Sequence, residues 1–285
     1  MSLWTQLKSL VMDPPPLYAF ELSEAGVAYS LHGQTAFEPF PDGTLRVSPL
    51  EDNLLRPDVA ATLIQKIAPS NGARKRRHAA LILPDYAARV SVLDFDAFPS
   101  SPEEQSQLVR FRIKKTVPFD IDSAAVSYYA QPASASKKTE VVAVTVAFEI
   151  LARYEALLRG ANFHPGEVTT ATLSALHLFR EEGTAVIAKL AGQILTVVVV
   201  AHGRLKLFRC LALEETTEQE ILSVLFPTFA YVEDELGQQV SKLIVCGFAT
   251  PPAPLVVPVE PLRSRLGVPG AFNAGLLGYL EGVQH

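Results

Sequence analysis

Residues 184–210 read TAVIAKLAGQILTVVVVAHGRLKLFRC, three apolar runs separated by turns that each contain a glycine. Residues 17–33, LYAFELSEAGVAYSLHG, repeat this order of apolar run and turn, and both stretches carry His-Gly in a turn. A glycine beside a polar residue between two apolar runs is typical of a tight β-hairpin. Both stretches therefore predict strand meanders. In the meander that begins at residue 17, the third strand lies around Phe37. A meander that recurs with helices after it indicates a bilobal α/β protein with mixed sheets.

The composition is that of a globular protein without a general affinity for polyanions. Of the 285 residues, 48% are hydrophobic and 19% charged, and the formal net charge is -5. Nucleic-acid-binding domains usually carry a basic excess, so we expect no nucleic-acid partner. The longest apolar run, residues 194–201, is far shorter than the roughly 20 residues of a membrane-spanning helix. The N-terminus lacks the features of a secretory signal, which predicts a cytoplasmic protein.

Two segments suggest contact with a membrane surface. Residues 1–16 combine apolar side chains at helical spacing with Pro14-Pro15-Pro16, which ends any helix. This segment is either a helix docked on its own domain or an amphipathic helix that contacts a membrane or a partner. The basic run RKRR at residues 74–77 is either a solvated loop or a contact for anionic lipid headgroups.

Motifs of common catalytic and metal sites do not occur in the sequence. There is no GxxxxGK[ST] loop, no GxGxxG after a strand, no GxSxG and no HExxH. The six histidines show no ligand spacing, and Cys210 and Cys246 stand apart at the ends of strand-like runs, as buried thiols do. We therefore predict no catalytic residue and no metal site.

Residues 111–122, FRIKKTVPFDID, contain an unusual helix end. Ser101 is predicted to cap a helix that runs to Val117, where Pro118 stops it. Phe119 and Ile121 then lie among charged residues, so another part of the protein has to cover them.

Residues 83–129, LPDYAARVSVLDFDAFPSSPEEQSQLVRFRIKKTVPFDIDSAAVSYY, resemble a segment of the PilM-type proteins of type IV pilus assembly. In that family a strand, a capped helix and a "-PF-" corner form a small inserted subdomain. Residues 149–179 are similar to the family's next segment, a helix, a short strand and a helix. The resemblance extends from about Leu17 to the end of the chain. The cytoplasmic part of the secretion protein GspL and the division protein FtsA are relatives of the same shape.

The resemblance implies a fold and a division into domains. The fold is the bilobal, actin-like (ribonuclease H-like) α/β fold with two mixed sheets and a small inserted subdomain. The order of meanders and helices in the sequence already predicts this division, with an N-terminal segment and tether (residues 1–16), a first lobe (residues 17–165) and a second lobe (residues 166–285). The inserted subdomain covers about residues 79–147 of the first lobe.

The nucleotide motifs of this family are degenerate here. Actin-like ATPases hold metal and phosphate with Asp-x-Gly turns in both meanders, because the carboxylate serves the hydrated metal and glycine lets the backbone approach the phosphate. Lys189 replaces the second carboxylate by a cation. By the resemblance, the residues of the degenerate cofactor site are Glu21, Ser23, Lys189, Ala191, Gly192 and Gly247.

The leading hypothesis is a non-catalytic cytoplasmic scaffold, without a cofactor, in the inner-membrane platform of a type IV pilus or type II secretion system. Its partner is then the cytoplasmic tail of a single-span, PilN-like membrane protein, and the scaffold lies peripherally at the inner membrane. The alternative is an ATPase or nucleotide switch that binds ATP with Mg²⁺ through atypical loops. A third interpretation is the same fold without any platform role.

The resemblance also implies a partner site. In PilM-type proteins the cleft between the inserted subdomain and the first lobe receives a short apolar peptide, and the "-PF-" corner belongs to this subdomain. The residues expected to bind the partner are Leu108, Phe111, Arg112, Val117 and Phe119. The alternative is that Phe111 and Phe119 seal the core of the subdomain itself.

Overall fold

The computed structural model describes residues 16, 18–69, 76–132, 138–180, 182–253 and 255–283. Nearly all of the predicted N-terminal segment and the first two residues of the RKRR run lie outside the described residues, so both remain predictions. Among the described residues, no helix combines the length and the apolar character needed to cross a bilayer.

Strands and helices are numbered in chain order. The strands are β1 (Tyr18–Leu22), β2 (Gly26–Leu31), β3 (Gln34–Pro39), β4 (Arg77–Leu83), β5 (Arg89–Phe95), β6 (Ala124–Ala130), β7 (Thr139–Ala147), β8 (Phe163–Thr170), β9 (Thr184–Ala191), β10 (Ile194–Ala201), β11 (Arg204–Ala212), β12 (Lys242–Cys246) and β13 (Val259–Pro261). The α-helices are α1 (Pro57–Ile67), α2 (Pro102–Ile113), α3 (Phe148–Gly160), α4 (Ala171–Ala175), α5 (Glu218–Asp234) and α6 (Ala274–Val283).

Two five-stranded sheets share one arrangement of strands. The first has the order β3-β2-β1-β4-β8 and the second the order β11-β10-β9-β12-β13. In each sheet the three strands of the meander pair antiparallel, and the two later strands join them in parallel. The predicted α/β fold with two mixed sheets is confirmed, and the repetition seen in the meanders extends to the whole sheets.

The His-Gly turns of both meanders have the geometry that their residues suggest. The φ angles are 52° at His32 and 84° at Gly33, and 50° at His202 and 72° at Gly203. Two-residue hairpins of type I′ need positive φ at both central residues, because this twist matches the twist of the strands. The turns thus place the strands of each meander in register.

The two sheets face each other across α4 and α6. The first sheet packs Ala80 and Ile82 against Ala171 of α4 and Leu276 of α6. The second sheet packs Ile187 and neighbouring side chains against the same two helices. The opposite face of the first sheet is covered by α1 and α3, and that of the second sheet by α5. The helices between the sheets therefore join the lobes and border the cleft described below.

Helices α4 and α6 approach each other closely. A β-carbon built on Gly278 would lie 2.2 Å from the carbonyl oxygen of Ser174, and one built on Gly275 would lie 2.7 Å from Cα of Ala171. Both distances are too short for a side chain, so these glycines permit the contact. As a result α6, the last helix of the chain, lies against the first lobe and reaches its central strand.

A third sheet, β5-β7-β6, and α2 form the inserted subdomain. Its core contains Val109, Ile113 and Ile121, all buried, and Phe119 packs half-buried against them. The apolar residues of the corner are therefore covered by the subdomain's own core. The Ser101 hydroxyl accepts from the Glu104 amide at 3.5 Å, as the predicted cap requires.

Several predicted boundaries differ from the structure. Helix α2 ends at Ile113, not at Val117, because the Thr116 amide bonds the Ile113 carbonyl at 2.8 Å in a tighter turn. Glycine is the residue expected to end a helix in the left-handed conformation, but Gly160 is the last residue of α3 and the left-handed residue after it is Asn162, with a φ of 63°.

The strand pairing also bears on the predicted domain limits. The limit between residues 165 and 166 cuts through β8, which hydrogen-bonds to β4 and so continues the first sheet to Thr170. The limit at residue 79 cuts through β4, which belongs to the same sheet, whereas the subdomain sheet spans residues 89–147. The assignment of the domains as such stays a prediction.

Candidate functional site

The turns of the two meanders meet in one cleft between the lobes. Its lining includes Glu21 and Ser23 from the first meander and Lys189 and Ala191 from the second. The space between these residues amounts to about 30 Å³. The structure therefore brings together four of the residues predicted for the degenerate cofactor site.

Asp85 lies at the centre of this cleft. It follows β4 in a single 3-10 turn, and only 4% of its surface is exposed. Its Oδ1 accepts from the Thr172 amide at 2.7 Å, and its Oδ2 accepts from the Thr172 hydroxyl at 2.6 Å. A hydrogen bond of 3.4 Å from the Thr196 hydroxyl also reaches Oδ2. Asp85 thus binds the start of α4 and a strand of the second lobe together.

Lys189 is the cation of the cleft. Its Nζ lies 3.0 Å from Oδ2 of Asp85, and both side chains are almost entirely buried. Burial acts to lower the pKa of Lys189, but the carboxylates of Asp85 and Glu21 outweigh this effect and raise the pKa above its usual value. Lys189 is therefore a charged ammonium inside the protein.

Glu21 is the second carboxylate of the cleft. Burial raises its pKa to about 7, although Lys189 and the Leu276 amide act in the opposite direction. The Leu276 amide donates to Oε2 at 2.7 Å, which connects β1 to the start of α6. Glu21, Asp85 and Lys189 together form a cluster of two acids and one internal cation, which we call the cleft triad.

The cleft triad does not fit a hydrated metal ion with phosphate. Mg²⁺ needs oxygen ligands in octahedral geometry and keeps several of its waters. Here the Lys189 ammonium already faces Asp85, and both oxygens of Asp85 hold internal donors. A space of about 30 Å³ accommodates about two water molecules rather than a triphosphate. Among the described residues, no group of three or more potential ligands lies close enough to hold a metal.

The other predicted cofactor residues support the backbone of the cleft. The Ser23 hydroxyl bonds both to the Gly26 carbonyl and to the Gly26 amide within the first turn. Gly192, with a φ of 61°, forms the second turn. Gly247 has a φ of 79°, and a β-carbon there would lie 2.1 Å from the Leu190 carbonyl oxygen. The absence of a side chain at Gly247 therefore allows the backbone after β12 to contact the backbone of β9.

Beyond Gly247 the second lobe contains a more open space. It measures about 440 Å³ and is lined by residues that include Leu190, Ile221 and Phe248. Ligand sites of small molecules start at about 300 Å³, so this space is large enough for an adenine-sized group. Its lining residues differ from those of the cleft around Lys189.

The residues predicted to bind a partner divide between core and surface. Leu108, Val117 and Phe119 are half-buried and pack against the core of the subdomain. Phe111 is 74% exposed, and the Arg112 guanidinium lies over the Phe95 ring at 5.4 Å from its centroid. The interpretation that Phe119 seals the subdomain agrees with this packing, whereas Phe111 stays available at the surface.

A groove of about 620 Å³ lies where the subdomain meets both lobes. One wall is β6 and another is β8, and in the described structure each is the last strand of its sheet. Tyr129 of β6 and Val168 of β8 are 52% and 38% exposed there. The floor includes Leu173 of α4, which lies between the two sheets, and Leu205 of β11 in the second lobe. We call this space the strand-edge groove.

A pair of hydrogen bonds fixes the subdomain to the second lobe beside the groove. The Gln131 side chain donates to the Leu205 carbonyl and accepts from the Leu205 amide, both at 2.8 Å. Glu140 of β7 forms ion pairs with Arg204 and Lys206 of β11, the first at 2.9 Å and the second at 2.5 Å. These contacts make β11 a common border of the subdomain and the second lobe.

The sequence did not lead us to predict Asp85 in the cleft, or Tyr129 and Val168 in the groove. One signal for Asp85 was present, because a lysine inside the apolar strand AVIAKLA is rarely buried without an acidic partner. This signal predicts an acidic partner for Lys189, but it does not identify which acidic residue that partner is. Tyr129 and Val168 carried no such signal, since only the packing of the subdomain leaves them exposed side by side.

Comparison with solved structures identifies the fold. The structure of the PilM-PilN type IV pilus biogenesis complex is similar with a TM-score of 0.68 and 16% identity, over 95% of this chain and 99% of that one. The cytoplasmic domain of EpsL, an inner-membrane component of the type II secretion system of Vibrio cholerae, has a TM-score of 0.56 and 14% identity, with 94% of each chain covered. No protein-family model and no curated protein matches the sequence. The chain has the PilM-type, actin-like fold.

Proposed function

We propose that this protein is a non-catalytic cytoplasmic scaffold in the inner-membrane platform of a type IV pilus or type II secretion system. Its task is to hold the cytoplasmic tail of a single-span membrane protein, and it lies peripherally at the inner membrane. The fold shared with the PilM-PilN complex and with the EpsL cytoplasmic domain gives the context. The strand-edge groove is the observation that carries the proposal.

The groove suits an extended peptide with apolar anchors. Two strand edges border it, and an extended chain can add to such an edge through main-chain hydrogen bonds. Tyr129 and Val168 offer apolar contact surface, and a tyrosine at the centre of an interface often contributes much of the binding energy. The tail then lies between the subdomain and the first lobe, where the resemblance places the partner.

Binding of the tail is tested with peptides that cover the cytoplasmic tails of the single-span membrane proteins encoded beside this gene. Isothermal calorimetry should show one peptide that binds the wild type. Tyr129→Ala and Val168→Asp should each weaken it about tenfold or more, because one removes an apolar anchor and the other places a charge in the groove.

Phe37→Ala is the matched control. Phe37 is a partly exposed aromatic residue on β3, which is the edge of the first sheet opposite to β8. It should bind the peptide like the wild type. Phe111→Ala separates the two places considered for the tail. If Phe111→Ala weakens binding and both groove variants bind normally, the tail lies on α2 and the groove assignment is wrong.

The non-catalytic part of the proposal draws support from the cleft triad. Because Lys189 occupies the place next to Asp85, a metal-bound phosphate would have to break a buried ion pair to enter. Titration with Mg-ATP should therefore give no heat of binding up to about millimolar nucleotide. A dissociation constant of about 1 mM corresponds to a binding free energy of about -4 kcal/mol, so any binding should be weaker than this. Phosphate release should not exceed that of a buffer blank. Micromolar binding with turnover that Glu21→Ala abolishes would establish the ATPase alternative instead.

A further inference from the structure

We infer that the Asp85–Lys189 ion pair is an internal latch, which holds the two lobes in the arrangement that forms the strand-edge groove. The latch itself follows from the contacts of the cleft, and its link to tail binding rests on the proposed function.

The two charges of the latch belong to different lobes. Asp85 follows β4 in the first sheet, and Lys189 lies on β9 in the second, 104 positions later in the chain. Asp85 also accepts both donors of Thr172 on α4, between the two sheets, and the hydroxyl of Thr196 on β10 in the second lobe. A single carboxylate therefore bonds to both sides of the cleft.

Because both side chains are buried, the strength of this ion pair depends on the two lobes staying together. Lys189 and Asp85 expose only 5% and 2% of their side chains. If the lobes separate, water reaches both groups and replaces their mutual attraction. If one partner is removed while the lobes stay closed, the other charge is left in a poorly solvated place. Loss of either charge therefore shifts the protein towards a more open cleft.

The latch and the groove share two structural elements. Thr172, held by Asp85, is followed directly by Leu173, which lines the groove. Thr196 and the groove residue Val200 both lie on β10. An opening movement that pulls β10 away from α4 would also separate the walls of the groove. The latch thus provides the fixed lobe arrangement that the groove needs.

Hydrogen exchange of Lys189→Met tests the latch without any partner. Methionine is similar in length to lysine but uncharged, so it removes the attraction and leaves Asp85 unpaired. Amides of residues 171–176 and 184–190 should exchange about tenfold faster than in the wild type. Asp85→Asn keeps an oxygen for the Thr172 amide and should show the same change, and it serves if Lys189→Met does not fold.

Lys242→Met is the matched control. Lys242 pairs with Glu260 at 3.2 Å inside the second lobe, on the strand beside β9, and neither residue lines the cleft. It should exchange like the wild type in both segments. Exchange of the folded Lys189→Met and Asp85→Asn variants at the wild-type rate would overturn the latch.

Calorimetry with the tail peptide that binds the wild type tests the link to the groove. The two latch variants should bind it about tenfold more weakly, and Lys242→Met should bind it normally. If the latch variants exchange faster but bind the tail peptide with wild-type affinity, the proposal that the latch holds the groove in its binding arrangement is wrong. If no tail peptide binds the wild type, the proposed function fails while the exchange experiment still decides the latch.

Discussion

Asp85→Ala is expected to lower the free energy of unfolding by about 3 to 5 kcal/mol, the range found when one partner of a buried ion pair is removed. The substitution leaves the Lys189 ammonium buried without its nearest counter-charge. It also removes the acceptor of the Thr172 amide and hydroxyl. Urea denaturation followed by circular dichroism gives the change, provided that the slope with denaturant stays constant.

Lys189→Met in the Asp85→Ala background shows whether the charge is the cause. The double variant should regain part of the lost stability, because no unpaired ammonium remains in the cleft. Asp42→Ala, at an exposed position, controls for the substitution and should change stability by less than about 0.5 kcal/mol. A loss below about 1 kcal/mol for Asp85→Ala would mean that water reaches the cleft and that the triad is not buried in solution.

Glu21→Gln is expected to stabilise the protein at pH 8 and to have little effect below pH 4.5. Burial raises the pKa of Glu21 from 4.5 to about 7, so the folded protein disfavours its charged form. One pKa unit corresponds to about 1.4 kcal/mol, and the advantage of the uncharged glutamine at pH 8 is therefore about 3 kcal/mol. Glutamine also keeps an oxygen for the Leu276 amide.

The direction of the pH dependence follows from proton uptake. Between pH 7 and pH 4.5 the folded wild type holds a proton on Glu21 that the unfolded chain has released. The contribution of Glu21 to stability is therefore full below pH 4.5 and is lost as the pH rises through about 7. Urea denaturation of both proteins between pH 4.5 and pH 8 gives the difference. A constant difference across this range would show that Glu21 is not the titrating group.

The meanders show how far local sequence determines this fold. Turn residues and alternating apolar runs specify short-range geometry, so β1 to β3 and β9 to β11 could be predicted from residues at most a few positions apart. Helix ends were harder to predict. Proline at position 118 gives a reason for a helix to stop, but α2 ends at Ile113, where the chain starts to fold onto the subdomain core.

The candidate sites depended more strongly on tertiary structure. The degenerate turns at Glu21 and Lys189 could be located from the sequence, because each lies in a recognisable meander. The partner of Lys189 could not, since Asp85 is separated from it by 104 positions and reaches it only when the two sheets pack around α4. Likewise, the strand-edge groove exists only because two separate sheets end beside each other.

Local residue patterns were therefore sufficient to predict the two meanders, the α/β class and a lysine inside an apolar strand at position 189. These features depend on residue type and on neighbours along the chain. The packing of distant segments accounts for the pairing and burial of Lys189 and for the groove that Tyr129 and Val168 face. It also explains why Phe119 contributes to the core while Phe111 stays exposed. Burial and pairing of charges depend on which distant surfaces meet, and the local pattern of residues carries no record of that contact.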